Sequence, residues 1–184
     1  NHALALLLAL AMCVSLLAGC GGNSSTSQKT GTTGQTETKT GDAAGEITIG
    51  LLANTSGDYA MYGNAVKNGA MLYIDQINAN GGINGKNINV IAYDEKGDPT
   101  EAVTAFNRLL DNNITALIGS VLTGATIAVA DESYLVNMPQ ITASATAAGV
   151  TMLDPEDASA GIRTNVFRSC FIDPFQGEKM AQYA

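Results

Sequence analysis

Two segments rich in hydroxyl and small side chains are the part of this sequence best suited to chemistry. The segment "SVLTGAT" (120–126) places Thr123 and Thr126 at the start of a predicted helix. Backbone N–H groups at a helix start have no partner within the helix and favour an anion such as a carboxylate. The segment "TASATAAG" (142–149) follows a predicted strand, and its small side chains let a ligand approach the backbone. Simple helix capping and an ordinary turn are the alternative interpretations of the two segments.

Sets of catalytic residues are few. The single histidine, His2, lies at the apolar amino terminus, so the rest of the chain lacks the commonest general base. No P-loop, G-x-S-x-G, C-x-x-C or H-E-x-x-H motif occurs. Asp94 and Glu95 close a predicted strand, and the acidic residues within 154–157 are typical of a solvated loop. We therefore expect no catalytic residue, no metal site and no cofactor, and a binding protein in place of an enzyme.

The composition limits the partners that the chain can bind. The 184 residues carry 9 basic and 17 acidic side chains, for a formal net charge of −8, and no tryptophan. A nucleic-acid-binding protein needs basic residues to displace counterions from phosphates, and often aromatic residues for stacking. We therefore expect no nucleic-acid partner.

The amino-terminal residues are typical of a secretion signal. Ala3–Ala18 is an uncharged apolar run, shorter than the roughly 20 residues of a membrane-spanning helix and near the ~7–15 of a signal-peptide core. A buried core helix is the alternative. We predict a lipoprotein signal peptide over residues 1–19, truncated at its amino terminus because no basic residue precedes the apolar run.

Cys20 is the cysteine best placed for modification. The sequence "LAGC" that it ends resembles the lipobox of bacterial lipoproteins, in which the cysteine is acylated after the signal is removed. The following residues to Gly45 are mostly Gly, Ser, Thr and Gln, which bury too little apolar surface to fold. We predict a lipidated Cys20 and a flexible linker over residues 20–45. Cys13 would leave with the signal, and Cys170 would then have no disulfide partner.

Strands and helices are predicted to alternate from Glu46 onward. Short apolar runs rich in β-branched residues predict strands, and apolar residues three or four positions apart predict helices. The predicted strands cover 47–53, 87–95, 114–120, 138–144 and 165–170, and the predicted helices lie within 62–82, 98–113 and 122–137, with a further helix at 177–183.

Local signals define the inner faces and ends of these helices. The apolar face of the first helix comprises Val66, Ala70, Tyr73, Ile74 and Ile77, and Gly81-Gly82 ends it. The second helix is predicted to begin with Asp98 as N-cap, Pro99 in the first turn and Glu101 in the capping-box position. Thr123 is the predicted cap of the third helix.

This alternation predicts an α/β fold with a doubly wound parallel sheet covered by helices on both faces. In such sheets ligands bind outside the carboxyl ends of the strands. We therefore expect the site in the loops that begin near Asn54, Glu95, Ser120 and Thr142.

The folded region, 46–184, resembles the amino-terminal lobe of type 1 periplasmic binding proteins of the Leu/Ile/Val-binding type. The matching segments, in the family's order, are "IGLLANTSGDYAMYGNAVKNGAMLYIDQINANGGINGKNINVIAYDEKGDPTEAV", "ALIGSVLTGAT", "PQITASAT" and "VFRSCFIDPFQG". The resemblance implies two Rossmann-like lobes that close over a ligand, with this lobe incomplete and the second lobe missing from the sequence. It implies a substrate-binding protein that delivers an amino acid, branched-chain or similarly aliphatic, to ABC permease and ATPase subunits. With the lipid anchor, such a protein would lie on the extracellular face of the bacterial cytoplasmic membrane.

The resemblance also implies roles for five residues. Thr123 matches a hydroxyl residue that binds the ligand's α-carboxylate together with nearby backbone N–H groups. Ser144, through its main-chain carbonyl, and Thr146 match positions that contact the α-ammonium and carboxylate, and Ala145 lies between them on the cleft wall. Tyr62 matches an aromatic residue that covers the side-chain pocket, and a half-buried aromatic at a helix start is the alternative.

Two departures from the family pattern leave other functions open. Gly97 and Leu122 occupy positions that a disulfide joins in Gram-negative relatives, and Ala147-Ala148 replaces the Asn-Pro that usually follows the ligand-binding threonine. A different loop shape would suit a related solute such as an amide, urea or an aromatic acid. An extracellular ligand-sensing domain of the same fold and a lipid-anchored hydrolase are the further alternatives.

Overall fold

The computed structural model describes residues 45–184. The predicted signal peptide (1–19), the lipidation site Cys20 and the linker as far as residue 44 lie outside the described residues. The described chain contains five strands, four α-helices and two short 3₁₀ turns. The strands are β1 (Ile47–Ala53), β2 (Ile88–Asp94), β3 (Ala116–Ile118), β4 (Gln140–Thr142) and β5 (Val166–Arg168). The helices are α1 (Ala60–Ala79), α2 (Pro99–Asp111), α3 (Thr123–Leu135) and α4 (Asp173–Tyr183), and the 3₁₀ turns are Ala148–Val150 and Ala158–Ala160.

The five strands form one parallel sheet in the order β2-β1-β3-β4-β5. This is a doubly wound order in which the chain direction across the sheet reverses between β1 and β3. The last residue of β1, Ala53, pairs with Asp94 of β2, and Ile118 of β3 pairs with Ile141 of β4. Because the strands are parallel, the loops that follow them meet along one edge of the sheet.

Helices cover both faces of the sheet, as predicted. On one face α2 and α3 enclose the main core, in which Leu52, Phe106 and Val129 are fully buried. Burying a side chain of this size contributes about 1.5–3 kcal/mol. On the opposite face Val66 and Ala70 of α1 pack on a second cluster formed by Leu51, Ala53 and Val121. No residue of α4 is buried.

The strands after β1 are shorter than predicted. β1 covers the predicted range, whereas β3, β4 and β5 each keep only three residues. Near the ends of the predicted ranges, backbone carbonyls accept hydrogen bonds from side chains and not from the amides of a neighbouring strand. The carbonyls of Ser120 and Val121, for example, accept hydrogen bonds from the side chains of Thr142 and Ser144. The residues that leave the ladder are therefore the ones that build the loops beyond it.

The prediction that Tyr73 faces the core is wrong. Ile74 is buried, but Tyr73 is 66% exposed. Tyr73 lies beside an open apolar groove of about 510 Å³ whose floor includes Ile118 and Ile141. Among the described residues no helix covers that half of the sheet, so a side chain on this edge of α1 stays accessible. No helix between residues 45 and 184 is long and apolar enough to cross a membrane.

Candidate functional site

The predicted loop starts are buried supports beneath the site. Asn54, Glu95, Ser120 and Thr142 stand at or just beyond the ends of four adjacent strands, and all four are fully buried. Within the described residues three of their side-chain atoms have no hydrogen-bond partner, namely Asn54 Oδ1, Glu95 Oε1 and Ser120 Oγ. Accessible groups for a ligand therefore come from residues further along the loops.

The amino terminus of α3 presents uncapped amide groups at this edge. Leu122, in extended conformation, is the N-cap, and its side chain accepts no hydrogen bond. The prediction that Thr123 caps the helix is therefore wrong, because Thr123 is the first residue inside the helix. Thr126 donates its hydroxyl to Leu122 O at 2.8 Å. The helix dipole and the free amides of the first turn give this end a partial positive charge.

The loop after β4 is tied to the loop after β3 by two hydroxyl groups. Thr142 Oγ1 donates to Ser120 O and Ser144 Oγ donates to Val121 O, each at 2.8 Å. Thr142 Oγ1 also accepts from the amide of Ala145 at 3.3 Å. These bonds place 142–146 directly beside the start of α3. Small polar residues bring the two chain segments together without filling the space between them.

Of the five predicted site residues, Ser144, Ala145 and Thr146 lie on the loop after β4, and Thr123 lies at the start of α3 beside it. Ser144 is exposed, Thr123 and Thr146 are half-buried, and Ala145 is fully buried. No protein group in residues 45–184 hydrogen-bonds to Thr123 Oγ1, Thr146 Oγ1 or Ser144 O. Two hydroxyls and one carbonyl therefore stay available to a ligand beside the uncapped helix start.

Tyr62 lies apart from this group, in the first turn of α1. Its side chain is 56% exposed, and its ring centroid lies 6.5 Å from that of Tyr59. The turn is held at the end of β1, because Asn54 Nδ2 donates to Tyr59 O at 2.7 Å. Tyr62 is thus at the same edge of the sheet as Thr123, and no hydrogen bond among residues 45–184 joins it to the loop after β4.

Two neighbouring carboxylates at the end of β2 have opposite pKa shifts. Burial raises the pKa of Glu95, and the hydrogen bond from the amide of Gly97 only partly offsets it. Burial also acts to raise the pKa of Asp94, but hydrogen bonds from Ser56 Oγ and the amides of Lys96 and Thr55 outweigh it and lower that pKa. Asp94 therefore organises the loop after β1 as an anion.

Sequence reasoning missed two arginines that hold the loop after β4. Arg163 and Arg168 donate to five backbone carbonyls between residues 145 and 152. Their only sequence signal is a basic residue within or beside a short apolar strand. No cluster of three or more His, Cys, Asp or Glu side chains that could hold a metal ion occurs within 45–184.

Comparison with known proteins identifies relatives of the described region. A family model described as periplasmic binding protein matches residues 46–151, more than half of the chain. A Leu/Ile/Val-binding protein of Rhizobium johnstonii is 37% identical over 141 residues, which cover 77% of this chain and 36% of that protein. The chain thus spans about a third of the length of the curated relatives it matches.

Solved structures share the fold. The branched-chain amino acid transporter substrate binding protein LivJ from Streptococcus pneumoniae, in complex with isoleucine, is 34% identical with a TM-score of 0.67. The match covers 76% of this chain and 38% of that one. An ABC transporter solute binding protein from R. palustris, in complex with benzoate, is 26% identical with a TM-score of 0.63 over 76% of this chain and 38% of its own. Both neighbours are named as transporter binding proteins.

Proposed function

Because the chain belongs to the periplasmic binding protein family, we propose that it forms one lobe of the substrate-binding protein of an ABC importer. The complete protein would capture an amino acid, branched-chain or similarly aliphatic, and deliver it to a membrane permease. One observation carries this proposal. Thr123 Oγ1, Thr146 Oγ1 and Ser144 O have no protein partner among the described residues, and they lie beside an uncapped helix start.

The chemistry of this edge favours a carboxylate. Free N–H groups at a helix start, together with a hydroxyl, donate hydrogen bonds to an anion without a basic side chain. The ligands named for the two structural neighbours, isoleucine and benzoate, both contain a carboxylate. We assign the carboxylate to the first turn of α3 with Thr123, and to the hydroxyl of Thr146.

An amino acid also requires an acceptor for its ammonium group. Ser144 O is available for that role, because no group among the described residues donates to it, while the hydroxyl of Ser144 donates to Val121 O. Ala145, between the two polar contacts, is fully buried, so it would support the cleft wall from behind and would not touch the ligand. Tyr62, exposed at the start of α1, would cover the ligand's side chain when the lobes close. A hinge motion of this kind is stabilised by ligand contacts to both lobes.

The proposal places the protein outside the cytoplasmic membrane. A lipid at Cys20 would keep a soluble receptor close to its permease, and the polar residues up to Gly45 would let it reach the permease. This anchor follows from the sequence pattern around Cys20 and is a separate proposal from ligand binding.

The test is calorimetric titration of the full-length gene product with L-leucine, L-isoleucine and L-valine. We expect Thr123→Ala to weaken binding by about 1–3 kcal/mol, because a charged group loses a hydrogen bond, which is roughly 5- to 150-fold in Kd. Thr104→Ala is the matched control, since its hydroxyl bonds only to Thr100 O on an exposed helix face. Equal affinity of Thr123→Ala and the wild type would remove Thr123 from the site.

The second candidate is an importer protein for another carboxylate solute, supported by the benzoate-bound neighbour. A thermal-shift series with the same three amino acids, benzoate, urea and acetamide separates the two candidates. Stabilisation by benzoate alone would replace the amino-acid proposal, and stabilisation by no compound would contradict both.

A further inference from the structure

Arg168 makes an unusual set of contacts for a strand residue. It lies at the end of β5, and its side chain is half-buried beneath the loop after β4. The guanidinium donates through Nη1 to Ala145 O at 3.2 Å and Ala147 O at 2.9 Å, and through Nη2 to Ala148 O at 3.4 Å and Thr151 Oγ1 at 2.8 Å. One side chain thus gathers three carbonyls from four successive residues.

The shape of a guanidinium explains why this contact set restrains the loop. Its donors lie in one rigid plane, so each carbonyl must approach at a fixed angle. Because these carbonyls point at Arg168, one side of the loop between Thr142 and Thr151 faces the guanidinium. On the same loop, the hydroxyl of Thr146 and the carbonyl of Ser144 have no partner among the described residues.

Arg163 binds the same loop at its other end and in a different way. It is almost completely buried, donates to Gly149 O and Met152 O, and forms an ion pair with Asp131 of α3. Arg163 therefore attaches the far end of the loop to the core with its charge neutralised. Arg168 has no acidic partner within 45–184, and it acts at the end of the loop that contains Ala145.

We propose that Arg168 is a positioning residue for ligand binding, holding the loop after β4 in its binding-competent conformation without touching the ligand. This inference rests on the proposed function, because it assigns the loop to the ligand site. Without the guanidinium, the carbonyls of Ala145, Ala147 and Ala148 lose their common partner and the loop samples other conformations. Only the fraction of molecules whose loop is in the binding-competent conformation can then bind. The apparent Kd of the ligand therefore rises by a factor of one over that fraction.

The experiment compares the full-length wild type with Arg168→Gln, Arg168→Lys and Arg108→Gln. Arg108 is the matched control because it loses the same charge from an exposed position, where it stacks on Tyr93 at 4.3 Å. L-leucine affinity is measured by calorimetry, and amide hydrogen exchange is measured without ligand. We expect Arg168→Gln to bind about 10- to 100-fold more weakly, for a competent population of ~1–10%. Arg108→Gln should stay within about twofold, well below that population effect.

Hydrogen exchange distinguishes positioning from a general loss of stability. In Arg168→Gln, exchange should accelerate across 143–151 and stay unchanged in α2, and saturating leucine should restore the protection of the loop. Wild-type affinity in a folded Arg168→Gln would overturn the proposal, as would faster exchange throughout the chain.

Arg168→Lys decides the question if the glutamine variant does not fold. It keeps the charge but loses the planar fork, so we expect weaker leucine binding and faster loop exchange than in the wild type. Equality with the wild type in both measurements would overturn the proposal. If the wild type binds none of the three amino acids, the proposed function fails, while the loop exchange still decides whether Arg168 holds the loop.

Discussion

Two glycines of α1 allow a direct test of how this helix sits on the sheet. Gly63 is buried against the end of β1, and a Cβ atom built on it would lie 2.2 Å from Asn54 O, 2.5 Å from Asn54 C and 2.9 Å from Asn54 N. Gly69 is six residues, about 1.7 turns, further along the same helix, and its Cβ would meet no atom within 4 Å outside the helix's own backbone. Alanine at the two positions therefore has opposite steric consequences.

The expected magnitudes follow from these contacts. Replacing glycine by alanine in a helix contributes about 0.5–1 kcal/mol through propensity, and Gly69→Ala should show this gain alone. Gly63→Ala meets backbone atoms that have no rotamer to change, so α1 must move away by about 1 Å and lose packing worth about 1–3 kcal/mol or more. We expect Gly63→Ala to lower the free energy of unfolding and Gly69→Ala to raise it, with a difference of about 1–3 kcal/mol or more, because the propensity gain is common to both.

Urea denaturation followed by circular dichroism measures both variants against the wild type. With a slope of about 1–3 kcal/mol per molar, the difference corresponds to a midpoint separation of roughly 1 M. If Gly63→Ala were as stable as Gly69→Ala, α1 would not pack on Asn54 as described. The assignment of Tyr62 to the same edge of the sheet as Thr123 would then lose its support.

Two further predictions concern ionisation and anchoring. Glu95→Gln should raise the melting temperature relative to the wild type more at pH 7.5 than at pH 4. Because the pKa of Glu95 is higher in the folded than in the unfolded state, the folded protein loses stability as the pH rises above the ordinary pKa of glutamate. An equal difference in melting temperature between variant and wild type at both pH values would contradict a titrating Glu95. Cys20→Ser should release the protein from membranes and abolish labelling with radioactive palmitate, whereas Cys170→Ser should do neither. Retained membrane association and labelling in Cys20→Ser would show that the anchor prediction is wrong.

Elements governed by local signals could be predicted from the sequence. Asp98 accepts from the amides of Thr100 and Glu101, and Pro99 opens α2, so the cap and first turn follow the expected pattern. The reciprocal contact of a capping box does not form, because the amide of Asp98 donates to Glu95 O at 2.9 Å, and Glu101 instead pairs with Lys96. A strand of seven apolar or small residues, such as β1, needs no tertiary information to be recognised.

Features that depend on neighbouring elements could not be predicted. The exposure of Tyr73 depends on which part of the sheet α1 covers, and helical spacing does not contain that information. The N-cap of α3 is Leu122, one residue before the predicted cap Thr123. Leu122 adopts an extended conformation, and a leucine side chain gives no capping signal that would predict it. No motif predicts the role of Arg168, because its partners, three backbone carbonyls and the Thr151 hydroxyl, lie more than fifteen residues away.

The strand order has a consequence for how the chain can assemble during synthesis. β1 is made first, β2 pairs on one side of it, and β3 pairs on the other side. β4 then adds to β3, and β5 adds to β4. Each new strand therefore joins a free edge, and none has to be inserted between two strands that are already paired. The described sheet can grow in the direction of translation, with β1, which pairs on both sides, available from the beginning.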